Sequence, residues 1–331
     1  MKILIVFLFV SYLSSIAVCQ DKTPVTQQPN KLVTLNVTVT NLYGDLITGL
    51  EAENFKVFDN KKEQQITLFR SQDDSMTVGV LLDASGSMLG SSSGKRLSKL
   101  ILSTIKQGLT RFVNQSKNGN EYFMIGFNEK PQLLLDNTQD TALIKAALDK
   151  IDAIHIYGMT SLFDALYISL DKLGKAKYKK SALLVVTDGT SDNSSKYKFE
   201  NIKESLKDSG IPVYSVALPD LDGQDSNSKE PIDERIEEIS AINGGHVFYP
   251  RNPAEISEVF GKVADELRSQ YSIGFIGVDE KSQIETKKNR WHSIEVKTEI
   301  TKNVRKKVKG IYLRTRKGYY FNTAFNTVNE K

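Results

Sequence analysis

The sequence is poor in the residues that build disulfide, thiolate and imidazole sites. Its 331 residues include one cysteine, Cys19, and only three histidines. A single cysteine excludes an intramolecular disulfide framework and a centre held by several thiolates. The surroundings of the histidines mark no nucleophile, so they give no support to a serine-protease arrangement. We therefore expect the fold to be stabilised by burial of its core alone.

The sequence also lacks a strong charge of either sign and a phosphate-binding loop. The net charge of +4 is small for this length and gives no indication of nucleic-acid binding. The segment Gly90–Lys95 is one residue shorter than a phosphate-binding loop and does not directly follow a strand, so nucleotide hydrolysis is unsupported. The overall composition is that of a globular protein, and the length allows two domains.

The apolar run at the amino terminus is too short for a typical membrane span. Met1-Lys2 precede apolar residues 3–10, and small residues follow up to Ala17. This order is typical of a secretory signal peptide, and we predict one over residues 1–19, with cleavage after Cys19. The alternatives are an uncleaved anchor and lipidation at Cys19, although Val18 stands where a lipoprotein prefers a small residue. We predict a secreted, periplasmic or cell-surface protein.

The chain is organised around an apolar run that ends in oxygen-bearing side chains. The run Val78–Leu82 has no polar alternation, which is typical of a strand buried on both faces. Asp83, Ser85 and Ser87 follow at every second position, so in a near-extended loop they would point to the same side. One carboxylate and two hydroxyls form an all-oxygen set that suits Mg²⁺, Mn²⁺ or Ca²⁺.

Two later segments add oxygen ligands of the same kind. Thr160 precedes a helical pattern that begins at Leu162, and Asp188 ends a second buried run, Leu183–Thr187. The order Asp-x-Ser-x-Ser, Gly-x-Thr and Thr-Asp-Gly resembles the metal-ion-dependent adhesion site of von Willebrand factor type A domains. The predicted metal ligands are Asp83, Ser85, Ser87, Thr160 and Asp188.

The resemblance implies how such a site works. Asp83 would be the main charge anchor, Ser85 and Ser87 direct ligands, Thr160 a direct ligand in the partner-bound state, and Asp188 a ligand through water. Two carboxylates only just neutralise a divalent ion, so an Asp or Glu of a partner protein would complete the coordination. The alternatives are a capped turn without metal, and a site that binds metal but has lost its partner.

Strand-like and helical segments alternate across residues 76–268. This alternation predicts a doubly wound, mostly parallel sheet covered by helices, with ligands at the carboxyl ends of its strands. We assign this region to the von Willebrand factor type A domain. Residues 20–75 and 269–331 have the pattern of short strands, and we expect them to pack together as one β domain, because each is too small to be stable alone. Within the first, Phe55–Phe58 is predicted to pair with Gln65–Arg70.

Both flanks resemble those of exported von Willebrand A proteins best known from Acidobacteria. We predict a metal-dependent binding module that is not an enzyme and that holds an acidic residue of a protein partner. The alternative is a structural or accessory component of a cell-envelope assembly, with an architectural ion. The basic stretch Lys281–Lys317 is either a solvated face of β hairpins or a contact for an anionic envelope component. The sequence leaves the oligomeric state open.

Three further candidates have weaker support. Asp220–Asp225 faintly resembles a calcium loop but lacks the later bidentate Glu. Asp192 either supports the metal site or caps the helix that follows it, and His155 lies in the loop ahead of Thr160.

Overall fold

The computed structural model describes most of the chain beyond the predicted signal peptide, which lies outside the described residues. The described ranges are 30–71, 74–89, 94–151, 156–189, 192–218, 234–278, 290–299 and 310–321. Within these ranges, no helix combines the length and apolar character that a membrane crossing requires.

Strands and helices alternate in the middle of the chain, and strands alone occupy its two ends. The strands are β1 (Asn30–Thr40), β2 (Phe55–Asp59), β3 (Lys62–Gln64), β4 (Ile66–Arg70), β5 (Thr77–Asp83), β6 (Glu121–Phe127), β7 (Pro131–Thr138), β8 (Ser181–Thr187), β9 (Val213–Ala217), β10 (His246–Phe248), β11 (Tyr271–Val278), β12 (Arg290–Thr298), β13 (Tyr312–Arg314) and β14 (Gly318–Phe321). The helices are α1 (Gly94–Gln115), α2 (Thr141–Asp149), α3 (Leu162–Gly174), α4 (Phe199–Ser209), α5 (Glu234–Ile242) and α6 (Pro253–Ser269), with 3₁₀ turns at Ala52–Asn54 and Gly86–Leu89.

A six-stranded sheet forms the centre of the molecule, in the order β10-β9-β8-β5-β6-β7. All neighbouring pairs are parallel except β6 with β7. Every residue of β5, β6 and β8 is buried, because one apolar cluster packs on each face of the sheet. The strand order reverses at β5, so its carboxyl end is the position where doubly wound sheets bind ligands. The predicted fold class is confirmed.

The strands from the two ends of the chain form two further antiparallel sheets, in the orders β13-β1-β11-β4 and β14-β12-β2-β3. We call this pair of sheets the sandwich, because one buried cluster draws apolar side chains from both. Strand β1 pairs with β11 over Asn30–Val37, and β2 pairs with β12. Each sheet therefore contains strands from both ends of the chain.

One predicted pairing in the sandwich is wrong. Strand β2 pairs with β3 and β12, whereas β4 lies in the other sheet beside β11. Asn60 and Lys61 both have positive φ, which produces a tight two-residue hairpin turn and brings Asp59 opposite Lys62. The hairpin ends at Gln64, and Ile66 and Phe69 then pack against the sandwich core. The alternating pattern could not distinguish which sheet β4 would join.

The sandwich core contains a hydrogen-bonded polar cluster that the sequence did not indicate. Asp59 Oδ1 lies 2.9 Å from His292 Nδ1, and the hydroxyl of Tyr319 donates to Asp59 Oδ2 at 2.7 Å. None of the three is more than 6% exposed. The carboxylate therefore has partners from β12 and β14, which ties the two ends of the chain together around a buried acceptor.

We expect residues 20–75 expressed alone to be unfolded or to aggregate. Strands β1 and β2 would lose their neighbours β11 and β12, which leaves apolar faces and backbone groups exposed. Circular dichroism and size-exclusion chromatography of the fragment test this. A folded, monomeric fragment would contradict it, and co-expression with residues 269–331 is the control for recovery.

The sandwich lies at the amino edge of the central sheet. Residues 71–76 lead from β4 to the start of β5, and Gln270 alone separates α6 from β11. The carboxyl end of α6 is at the same edge, because Lys180 Nζ, just before β8, donates to Leu267 O at 2.9 Å. The carboxyl ends of the parallel strands therefore face away from the sandwich. They lie about 20 Å from the amino edge of the sheet, which is the length of a seven-residue strand.

Candidate metal site

Asp83 is the last residue of β5, and its carboxylate is buried at the carboxyl edge of the central sheet. Its Oδ1 accepts hydrogen bonds from Ser85 N at 2.8 Å and from Ser85 Oγ at 2.5 Å. Its Oδ2 accepts a hydrogen bond from Thr187 Oγ1, at the end of β8, at 2.6 Å. Asp83 is 4% exposed, and no described lysine or arginine forms an ion pair with it. The two central strands thus converge on this carboxylate.

The loop after Asp83 was expected to be nearly extended, but it is not. Residues Gly86–Leu89 form a 3₁₀ turn, which Met88 N closes by donating to Ser85 O at 3.2 Å. Gly86 N donates to Gly158 O at 2.8 Å, so the turn bends toward the loop that carries Thr160. Ser85 donates both its amide and its hydroxyl to Asp83, and its role as a metal ligand stays a prediction. The backbone of Ser87 lies in the turn, and its side chain is outside the described part.

Backbone hydrogen bonds on both sides of Thr160 tie its loop to the loops that follow β5 and β8. Tyr157 N donates to Ala84 O at 3.0 Å, and Asn193 N donates to Thr160 O at 2.6 Å. Thr160 is 3% exposed. Gly158 has a φ of 73°, and a Cβ there would lie 2.7 Å from Glu129 Cγ, so this turn requires glycine. The three loops after β5, β8 and α2 therefore meet at one place.

Asp188 follows Thr187 directly, and its charge acts on Asp83. Burial and repulsion by Asp188 raise the pKa of Asp83 to about 6, against the opposing effect of its hydrogen bonds to Ser85 and Thr187. Asp83 is buried and Asp188 is half-buried, and a cation between two such carboxylates would relieve their repulsion.

The donor set fits a hard divalent cation. Carboxylates from Asp83 and Asp188 lie with hydroxyl-bearing residues Ser85 and Thr160, and oxygen ligands of this kind suit Mg²⁺ and Mn²⁺. Ser161 Oγ, next to Thr160, is buried without a hydrogen-bond partner among the described residues, so an ion or its water would satisfy it. The described residues contain no cluster of three or more His, Cys, Asp or Glu side chains arranged to hold a metal. The candidate set has only two carboxylates and depends on hydroxyl-bearing residues for its other oxygens.

The model of the von Willebrand factor type A domain matches residues 78–262, more than half of the chain. The chain belongs to the von Willebrand factor type A family. The matched region, which we call the A-type domain, contains all five predicted ligands. A search of curated proteins found no match.

Several solved structures are similar to this chain. BatB from Bacteroides thetaiotaomicron is 18% identical, with a TM-score of 0.45, covering 59% of this chain and 98% of its own. A von Willebrand factor type A protein from Catenulispora acidiphila is 10% identical, with a TM-score of 0.48 and coverages of 87% and 72%. Proximal thread matrix protein 1 from the mussel byssus, with a zinc-occupied MIDAS motif, is 16% identical, with a TM-score of 0.49 and coverages of 64% and 50%. The zinc ion is a property of that mussel protein.

Two apolar side chains are exposed on the loop that carries Thr160. Tyr157 is 44% exposed and Met159 is 62% exposed, whereas Thr160 itself is buried. Glu129, after β6, is exposed beside Gly158. The rim of the candidate site in the A-type domain therefore combines a tyrosine, a flexible thioether and a negative charge.

The other sequence candidates have different outcomes. Asp192 does not cap the helix after it: its Oδ1 accepts a hydrogen bond from Phe163 N, in the first turn of α3, at 3.1 Å. His155 and the loop Asp220–Asp225 lie outside the described residues. Within the basic stretch, Arg316 is half-buried rather than fully solvated, and it donates to Lys207 O at 2.9 Å and to Gly318 O at 2.7 Å. Its pKa is lowered to about 10, mainly by burial.

Proposed function

We propose that this protein is an exported, divalent-metal-dependent binding module that grips an Asp or Glu of a protein partner. The observation that carries the proposal is the buried Asp83 carboxylate, which Asp188 destabilises by repulsion and which has no described cation as a partner. The two carboxylates only just neutralise the charge of a divalent ion, because together they carry two negative charges. The ion therefore retains affinity for a further carboxylate. The partner's acidic side chain is the natural donor of that charge.

The five proposed ligands differ in charge and therefore in their role at the ion. Asp83 anchors the ion because it is the most buried carboxylate of the set and is fixed by Ser85 and Thr187. Ser85, Ser87 and Thr160 supply neutral oxygens, and Asp188 supplies the second charge. Mg²⁺ is the ion we propose, with Mn²⁺ or Ca²⁺ as substitutes. The bound ion supplies an electrophilic position for a carboxylate.

The rim of the site favours a particular kind of partner contact. Met159 is unbranched and polarisable, and such side chains adapt to apolar surfaces of different shape. An acidic residue with an apolar neighbour would therefore fit both the ion and the rim. Glu129 disfavours a second carboxylate on its side.

The position of the site leaves room for a protein partner. It lies at the edge of the sheet opposite the sandwich, where a partner protein can approach the A-type domain without meeting the rest of the chain. Export rests on the predicted signal peptide, and the finer resemblance to exported proteins of Acidobacteria is part of this proposal. We propose no catalytic role, no nucleic-acid partner, and a contact with anionic envelope components only for basic residues other than Arg314 and Arg316.

The alternative is a structural or accessory component of a cell-envelope assembly, with an architectural ion. The presence of the sandwich favours this alternative, because the sandwich could make the contacts with the other components of the assembly. Chelation distinguishes the two, because an architectural contact through the sandwich persists when the ion is removed.

We expect cyclic peptides selected from a displayed library in the presence of Mn²⁺ to share an Asp or Glu, because that side chain completes the coordination. Replacing the shared residue by Asn or Gln should weaken binding at least about tenfold, since a charge-assisted contact to a metal ion is lost. Biolayer interferometry with the wild-type protein, with and without chelator, measures this.

The Asp83→Asn variant is the control, and it should bind none of the selected peptides. Selected peptides that lack an acidic residue, or that still bind in chelator, would contradict the proposed function.

A further inference from the structure

Thr160 and Asp188 lie on separate segments, and each is followed four residues later by another aspartate. Asp164 lies in the first turn of α3, and Asp192 lies in the segment that leads to α4. The sequence pattern of the metal site includes neither. The structure links the two segments through these carboxylates.

Asp192 fixes the start of α3. Its Oδ1 accepts hydrogen bonds from Phe163 N at 3.1 Å and from Ser194 Oγ at 2.8 Å, and its Oδ2 accepts from Ser194 N at 3.1 Å. Ser194 Oγ in turn accepts from Asp164 N at 3.0 Å. The side chain of Ser161, the N-cap residue of α3, makes no capping hydrogen bond. The free amides of the first helical turn are therefore capped from a distant segment.

Asp164 fixes the distant segment in return. Its Oδ1 accepts hydrogen bonds from Lys196 N at 3.2 Å and Tyr197 N at 2.9 Å, and its Oδ2 accepts from Ser195 N at 3.1 Å. Asp164 is 4% exposed, so these amides replace the water that its charge would otherwise need. The rings of Tyr167 and Tyr197 stack at 3.6 Å beside this contact.

We propose that Asp164 and Asp192 are positioning residues of the metal site. Together they make one unit of α3 and residues 192–197, and Asn193 N within that unit donates to Thr160 O at 2.6 Å. The unit sets where Thr160 lies relative to Asp188 and hence relative to Asp83. The inference rests on the proposed function, because it concerns the ligands of the same ion, but it assigns a role to residues that do not touch the ion.

The amide variants test the role of the carboxylates because they keep the size of the side chain. Both oxygens of Asp164 accept hydrogen bonds from backbone amides. Asparagine at this position must therefore direct its NH₂ group at an amide N–H, whichever way the side chain is flipped. The same holds for Asp192, whose oxygens accept from Phe163 N and Ser194 N.

We expect Asp164→Asn and Asp192→Asn each to raise the dissociation constant for Mn²⁺ about tenfold or more, as loss of outer-shell support commonly does. Isothermal titration calorimetry of the full chain with Mn²⁺ alone measures the constant. Asp171→Asn is the matched control, since Asp171 lies in the same helix, is exposed, and forms with Lys175 an exposed ion pair. Its constant should remain within about twofold of wild type.

Each result bears on a defined claim. If wild type binds Mn²⁺ and both variants bind it with an unchanged constant, the positioning role is overturned and the proposed function stands. If wild type does not bind Mn²⁺, the proposed function is overturned and the inference with it. Circular dichroism in chelator verifies that the variants fold.

A measurement on the wild-type protein covers the case of variants that do not fold. Because binding coupling is reciprocal, Mn²⁺ binding should slow hydrogen exchange of the amides that Asp164 accepts from, at Ser195, Lys196 and Tyr197. Mass spectrometry of the exchanged protein, with and without Mn²⁺, measures this. Equal exchange in the two conditions, in a protein that binds the ion, would overturn the inference.

Discussion

Asp83→Asn removes the stabilisation that Mg²⁺ or Mn²⁺ gives to this protein, without lowering its stability in chelator. Asparagine retains an oxygen for Ser85 N, and its NH₂ group can donate to Thr187 Oγ1, so the local geometry is kept. The charge that anchors the ion is lost, and so is the repulsion from Asp188. An ion at a hundredfold excess over its dissociation constant stabilises the native state by about 2.7 kcal/mol, and the variant should lose that whole amount.

Thermal unfolding of both proteins with Mg²⁺, Mn²⁺, Ca²⁺ and chelator measures the effect. Asp83→Ala should show the same loss of response to metal. The Asp171→Asn variant, in an exposed part of α3, should respond as wild type does. A metal-dependent shift that survives in Asp83→Asn would show that the ion binds elsewhere and would contradict the site.

Glu266→Ala lowers the free energy of unfolding by about 3 kcal/mol, because it breaks a buried charge network. Glu266 Oε1 accepts hydrogen bonds from Tyr214 OH at 2.8 Å and Thr38 Oγ1 at 3.2 Å, and its Oε2 accepts from Arg314 Nη2 at 2.7 Å. Gln270 Nε2 adds a hydrogen bond to Tyr214 OH at 2.9 Å. Without the carboxylate, two buried hydroxyls lose an acceptor, and the half-buried guanidinium of Arg314 loses its ionic partner.

The network joins the A-type domain to the sandwich, since Thr38 and Arg314 belong to β1 and β13. Burial and the charge of Glu266 raise the pKa of Tyr214, so the phenol stays a donor. Chemical denaturation of the full chain measures the change. Glu258→Ala, an exposed position of the same helix, is the control and should change stability by less than about 0.5 kcal/mol. Equal effects at the two positions would contradict the role of the network.

The pattern of amino acids was sufficient to predict the fold class and the edge of the sheet at which the candidate site lies. The segments that form β5 and β8 are continuous apolar runs without alternating polar residues. Such runs are typical of strands that are buried on both faces of a sheet. Asp83 and Asp188 follow these runs directly, so any parallel sheet places them at one edge. The family of the A-type domain followed from the same residues. The full set of five ligands stays a prediction, because the structure joins Asp83 to Ser85, Asp188 and the Thr160 loop but does not describe the side chain of Ser87.

The amino-acid pattern did not reveal which distant segments of the chain meet. Asp192 caps a helix that begins 30 residues before it, and Arg314 pairs with Glu266 rather than with solvent. Strand β4 leaves the hairpin and joins β11, about 200 residues later in the chain. The physical reason is the same in each case. A local pattern specifies the state of a segment and which face it buries, whereas its partner is chosen by the packing of segments that are far apart in sequence.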